Sequence, residues 1–250
     1  TLASHVVNAK QRPILGRRQR WNAIGVNAFL ACLPQRQADA VAQALSRLGV
    51  KRAIMVGHSW GGALATAFAI RHPAMAAGLV LLSPTSHPWT GGVSWYYTLA
   101  TTPVIGPIFA HTLVLPLGVL LATPATAAVF HPQVPPEGYV SRSATWLVLR
   151  PSAFIANAQD MVDLKRNLEA MVPLYSQITA PTVILTGGRD LTVSSDVHAS
   201  ALAALIRGAR LEILPGVGHV PHHARPDRVI AAVEEVAARV RSSVASTKAD

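Results

Sequence analysis

Residues 55–69, MVGHSWGGALATAFA, constrain the fold more than any other stretch of the chain. An apolar run ends at Gly57, Ser59 stands between glycines, and small residues then recur at helical spacing. A short buried strand that passes at once into a helix fits a sheet whose strands are joined by crossover helices. The glycines let strand and helix approach closely, which accounts for Gly57, Gly61 and Gly62.

The same alternation recurs elsewhere. Lys51–Val56, GLVLLS (78–83), TVILTGG (182–188) and RLEILPG (210–216) read as short buried strands. Helices are expected over Gly61–Arg71, ended by His72-Pro73, and over Ser195–Ile206. Another opens near Pro226, with Val229, Val233, Val236 and Val240 as its apolar stripe. Before the first strand, Val41, Leu45 and Leu48 share a helical face that Gly49 would cap. The predicted class is α/β, a parallel sheet covered by helices on both faces. SSVASTKAD, at 242–250, reads as a frayed tail.

Two segments stand outside this pattern. Residues 84–180 are predicted to form a hydrophobic helical subdomain between the two halves of the core, 37–83 and 181–242. No Lys, Arg, Asp or Glu occurs from His72 through Pro136. The run 104–123 has the apolar length of a membrane span, about 20 residues, but its prolines, glycines and His111 argue against one. Peripheral membrane contact is compatible with it. Phe154–Val172 reads as an amphipathic helix, with Phe154, Ala158, Met161, Leu164, Leu168 and Met171 on its apolar side.

The second segment is 1–36, basic and without regular periodicity. The net charge of +10 invites a nucleic-acid reading, yet six of the basic residues fall within residues 1–38, where no acid occurs. The rest is ordinary, 16 basic against 12 acidic side chains. With no zinc-finger spacing, RNA-binding motif or phosphate loop, no nucleic-acid partner is expected. The lone Cys32 cannot form an internal disulfide and reads as a buried thiol. TLASHVVNAKQRP lacks the apolar core of a signal peptide, and the expected location is cytoplasmic.

Three motifs carry chemistry. Gly57-His58-Ser59-Trp60-Gly61 fits G-x-S-x-G at a strand-to-helix turn, the context that gives the pattern meaning. Asp190 follows the strand TVILTGG, and His219 follows RLEILPG. Both therefore stand at the carboxyl edge of a parallel sheet, where ligands gather. A serine hydroxyl needs a base to take its proton, and an aspartate can hold that imidazole in the required tautomer.

GHSWGG, GGRDLTV and LPGVGHVPHHARPDRV, in this order, resemble the α/β-hydrolase superfamily, and SPTSHPW through QITAP resembles its helical cap. The resemblance runs from about Gln37 to Arg241. It implies Ser59 as nucleophile, Asp190 as acid, His219 as base and the Trp60 amide as an oxyanion donor. It implies no cofactor or metal. His58, Trp89, Trp95, Tyr96 and Tyr97 are candidates for an apolar pocket, with cap core as the alternative for the aromatics. Asp196 reads as a helix-start residue, and His222 and His223 as spare imidazoles.

The chain departs from the family pattern at its start. No His-Gly, the usual mark of the second oxyanion loop, precedes Ser59, and residues 1–36 are short for the strands that normally come first. Those strands are expected to be missing or replaced. The function expected is hydrolysis of a small apolar ester or related acyl compound through an acyl-enzyme. Carbon–carbon hydrolysis and perhydrolase chemistry share the triad and stay open, whereas serine at this turn argues against epoxide hydrolysis. A truncated remnant acting as a binding or membrane-associated module is the alternative. Oligomeric state is not legible.

Overall fold

The structure, a computed structural model, describes residues 33–247. Helix α1 (Pro34–Arg47) leads into strand β1 (Ala53–His58), helix α2 (Trp60–Arg71) and strand β2 (Ala76–Leu82). A helical stretch follows: α3 (Trp95–Ala100), α4 (Ile105–Thr112), α5 (Val114–Phe130), the short α6 (Tyr139–Arg142), a 3₁₀ turn (Thr145–Leu149), α7 (Pro151–Met171) and a second 3₁₀ turn (Val172–Gln177). The chain then returns to the sheet with β3 (Thr182–Gly187). A π-turn at Asp196–Ser200 leads into α8 (Ala201–Leu205), then β4 (Arg210–Leu214), α9 (Pro221–Ala224) and α10 (Pro226–Thr247).

The four strands form one parallel sheet in the order β1-β2-β3-β4. Every residue of β2 and β3 is buried, as expected for central strands covered on both faces. One face packs Leu79, Leu81 and Ile184 against Phe68 of α2, Tyr175 and Leu202. The other packs Val80, Leu82, Val183 and Leu185 against Ala232 and Val236 of α10, with Val229, Val233 and Val240 beside them. The valine stripe in the sequence is thus the sheet-facing side of α10. A separate core joins α3, α4 and α7 through Ala100, Phe109, Ala110 and Ala158.

The strands lie within two residues of their sequence positions. Other elements differ. Helix α1 starts at Pro34, where a proline needs no hydrogen-bond donor, and buries Ala38 and Ala42. Small residues let α1 lie close on α2, so Val41 and Leu45 are only partly buried and Leu48 is 78% exposed. Gly49 does follow the helix, at φ +74°. Helix α10 continues through Thr247, past the point where a frayed tail is expected at 242. The readings of Cys32 and of residues 1–32 lie outside the described residues.

Candidate active site

Ser59 occupies the turn between β1 and α2 at φ 53°, ψ −119°, a region that L-residues seldom enter. The conformation is held from both sides. Its N–H donates to the Leu82 carbonyl (2.9 Å), and its carbonyl accepts from the N–H groups of Gly62 (2.8 Å) and Thr85 (3.1 Å). A Cβ on Gly57 would strike the carbonyl of Gly61, and one on Gly62 would strike Pro84. These two glycines are required by close approach. Gly61 is different: open space surrounds its Cβ position, contrary to the expectation that all three serve packing.

Asp190 is carried past the end of β3 by a turn in which Gly188 N–H donates to Leu214 O and Arg189 N–H to Val217 O. Its Oδ1 accepts from the N–H groups of Thr192 (2.9 Å) and Val193 (2.8 Å). Its Oδ2 accepts from Nδ1–H of His219 at 2.8 Å. His219 in turn receives the Ser59 hydroxyl on Nε2 at 2.9 Å. The carboxylate side chain is fully shielded and the imidazole nearly so. Burial alone would raise the Asp190 pKa. The His219 hydrogen bond and charge and the Val193 and Thr192 amides outweigh it, so the group stays ionised below the ordinary carboxylate range.

The loop bearing His219 is fixed by contacts that sequence reasoning does not reveal. Gln133, between α5 and α6, donates from Nε2 to the Gly216 carbonyl (2.8 Å) and accepts on Oε1 from Gly218 N–H (2.9 Å). A Cβ on Gly218 would strike the His131 carbonyl, and one on Gly187 would strike the carbonyls of Val217 and Gly218. The histidine loop is therefore wedged between β3 and the helical stretch. A glutamine between two prolines gives no local signal of this, because its partners lie 83 and 85 residues away.

His58 adjoins the same site. Its Nε2–H donates to the His219 carbonyl (2.7 Å), and its ring lies 4.8 Å from that of His219 and 4.6 Å from that of His222. Burial pushes its pKa down to about 4, outweighing the hydrogen bond to the His219 carbonyl that acts the other way, and the His219 and His222 rings add to the fall, so the ring is neutral at neutral pH. His198 is also neutral: burial lowers its pKa to about 4, and Nδ1 accepts from the amides of Ser86 and His87. Asp196 opens the π-turn, away from the relay. His223 stacks on Phe130 and Tyr139. Among the described residues, no group of three or more His, Cys, Asp or Glu is arranged to hold a metal ion.

A cavity of about 480 Å³ is lined by His58, Val220 and His222, neighbours of the relay, while Ser59, His219 and Asp190 are not part of its wall. Its wall is otherwise almost wholly apolar, and Trp95, Tyr96, Tyr97, Phe109 and Phe154 contribute aromatic surface. The size suits a small-molecule site. Trp89 is not part of the wall. It packs instead with Trp60 on Ala63, Leu164 and Leu168, where α7 crosses α2, and its ring lies 6.2 Å from that of His198. A large aromatic in a charge-free segment serves core or pocket equally well by sequence, and here the α2–α7 crossing takes it.

Comparison with known proteins agrees with the fold. The sequence model of the alpha/beta hydrolase family matches residues 17–232, starting twenty residues before Gln37. An uncharacterized protein of Mycobacterium tuberculosis is 29% identical over 206 residues, covering 79% of this chain and 59% of that protein. Epoxide hydrolase 3 of Xenopus tropicalis is 28% identical over 199 residues, covering 73% and 52%. The chain thus spans between half and three fifths of the length of these two curated relatives. The crystal structure of the enol-lactonase from Burkholderia xenovorans superposes with a TM-score of 0.58 at 20% identity, covering 82% of this chain and 73% of that one. With strand order, serine turn and family match in agreement, the chain belongs to the alpha/beta hydrolase family.

Proposed function

We propose that the chain is a serine hydrolase acting on carboxylic esters or related acyl compounds with an apolar acyl group. The observation that carries this reading is the continuous relay from Ser59 Oγ through His219 to Asp190, at 2.9 and 2.8 Å, beside an apolar cavity. In the proposed reaction Ser59 Oγ attacks the substrate carbonyl as its proton passes to His219 Nε2. The imidazolium that forms is stabilised by Asp190 and returns the proton to the leaving alcohol. Water, deprotonated by the same nitrogen, then releases the acid from the Ser59 ester. The developing oxyanion would be met by the Trp60 N–H, which opens α2 and has no carbonyl within its helix to bond.

Serine at the turn distinguishes this reading from the chemistry named for the epoxide-hydrolase relative. In the aspartate mechanism expected there, a carboxylate attacks a saturated carbon, and a hydroxyl with an imidazole base is suited instead to an acyl carbon. The test is a fluorophosphonate probe with the adduct located by mass spectrometry. Labelling of Ser59, lost in Ser59→Ala and strongly slowed in His219→Ala, is the expected outcome. A folded protein that takes up no probe would overturn the reading in favour of a non-catalytic binding module.

A further inference from the structure

Helix α5 presents a physical anomaly. Its residues are apolar all round, yet only one narrow stripe faces protein: Val114, Ala122 and Phe130 are buried, and Gly118 and Thr126 between them are half-buried. Of the remaining circumference, Leu117, Leu121, Ala125 and Val129 line the cavity and the rest is exposed. Leu115, Leu117, Val119, Leu120 and Leu121 are between 40% and 72% exposed. Helix α4, which meets α5 at a bend of 63°, extends the surface with Ile105 and Ile108, 58% and 59% exposed. A helix apolar on every side is normally enclosed by a core or by lipid, and an apolar patch of this extent marks an interaction surface.

We infer that the α4–α5 face docks on a fluid lipid surface carrying anionic headgroups. Three observations favour lipid over a protein partner. First, the large exposed apolar residues of α5 outside the cavity wall, Leu115, Val119 and Leu120, are spread around the helix and not confined to one stripe. A flat protein surface would cover part of such a spread, whereas acyl chains conform to all of it. Second, the face has no charge of its own, but cations stand at its border. The 3₁₀ turn Thr145–Leu149 packs on α5, with Leu149 filling the space over Gly118. Exposed Arg142 and Arg150 flank that turn in sequence, Arg142 donating to the Glu137 carbonyl, and Trp146 within it is 40% exposed. Tryptophan with arginine is the pairing expected at a headgroup boundary. Third, the exposed face and the cavity wall share two leucines, Leu117 and Leu121. Among the described residues no single helix is long and apolar enough to cross a membrane; α4 and α5 reach that length only together, across their 63° bend, and the mode inferred is docking on one leaflet.

Vesicle flotation of the full chain tests this, using phosphatidylcholine–phosphatidylglycerol vesicles. The chain should float, and Ser59→Ala should float equally, which keeps docking separate from the chemistry at Ser59. The double variant Leu115→Ser/Leu120→Ser, both outside the cavity wall, should lose roughly tenfold or more of its partitioning. Its melting temperature should stay unchanged. A chain that remains in the aqueous fraction at every lipid concentration overturns the inference. So does undiminished flotation of the double variant. A dimer in solution that the double variant dissociates, without vesicle binding, would assign the face to a second copy instead.

Discussion

The sheet half and the helical stretch between β2 and β3 treat apolar residues in opposite ways. In the sheet half, β2 and β3 are buried throughout, and the exposed faces of the covering helices carry charge. The helical stretch buries a small core of its own and leaves large leucines and isoleucines in the open. The difference follows from layering. A central parallel strand has two faces and both are covered, whereas α5 has one neighbour layer and is apolar well beyond that contact. Burial in the first region brings Ser59, His219 and Asp190 into hydrogen-bonding reach of one another. In the second, burial is incomplete, and what remains is a surface.

The contrast can be broken most sharply with glycines. Gly57→Ala places a methyl against the rigid carbonyl of Gly61 and should cost about 3 kcal/mol, read as a large drop in denaturation midpoint with loss of probe labelling. Gly118→Ala in α5 meets only the movable end of Leu149 and should shift the midpoint far less. Equal losses would show that the two regions are packed alike. Asp190→Asn should lower the melting temperature, because the ionised carboxylate is favoured by its folded surroundings, and slow turnover by about 10⁴-fold, the size of the effect in other triads. A fall of tenfold or less, roughly, would remove Asp190 from the relay.

Acid should weaken the sheet half through its buried imidazoles. His58 and His198 titrate at 6.5 when unfolded but near 4 when folded. Between these values the unfolded chain binds more protons, so stability falls as pH drops through that window. Urea unfolding on both sides of pH 6.5 measures the slope, and a flat profile down to 4 would contradict it. Gln133→Ala removes two hydrogen bonds from the histidine loop. It should lower stability by about 1–2 kcal/mol and slow Ser59 labelling several-fold. Unchanged labelling would separate the helical stretch from the relay. Leu120→Ser, on the open face, should move stability by no more than about 0.5 kcal/mol.

Local features of the sheet half were legible because period and punctuation coincide there. The strands, the serine turn and the placement of Asp190 and His219 beyond two strand ends follow from short apolar runs, three ended by glycine and one, GLVLLS, by Ser83-Pro84. The relay's supports were not legible. Gln133, the wedge of Gly187 and Gly218 against carbonyls, and the hydrogen bond from His58 to His219 depend on contacts far apart in sequence. Hydrophobicity also misleads where size decides. It favours Leu48 and Val41 for burial over Ala38 and Ala42, and it gives Trp89 no preference between the cavity and the α2–α7 crossing. Nor does a charge-free run tell a covered helix from an open one.

The backbone at Ser59 has a consequence for how such a site would drift under selection. A positive φ with ψ −119° suits glycine better than serine, so the hydroxyl is held at some expense to the folded state. Ser59→Gly would therefore end the chemistry and ease the turn in one step. A lineage that stopped needing the reaction would have no stability barrier against losing it. On the proposed reading, the serine at this turn is kept against the backbone's own preference for glycine.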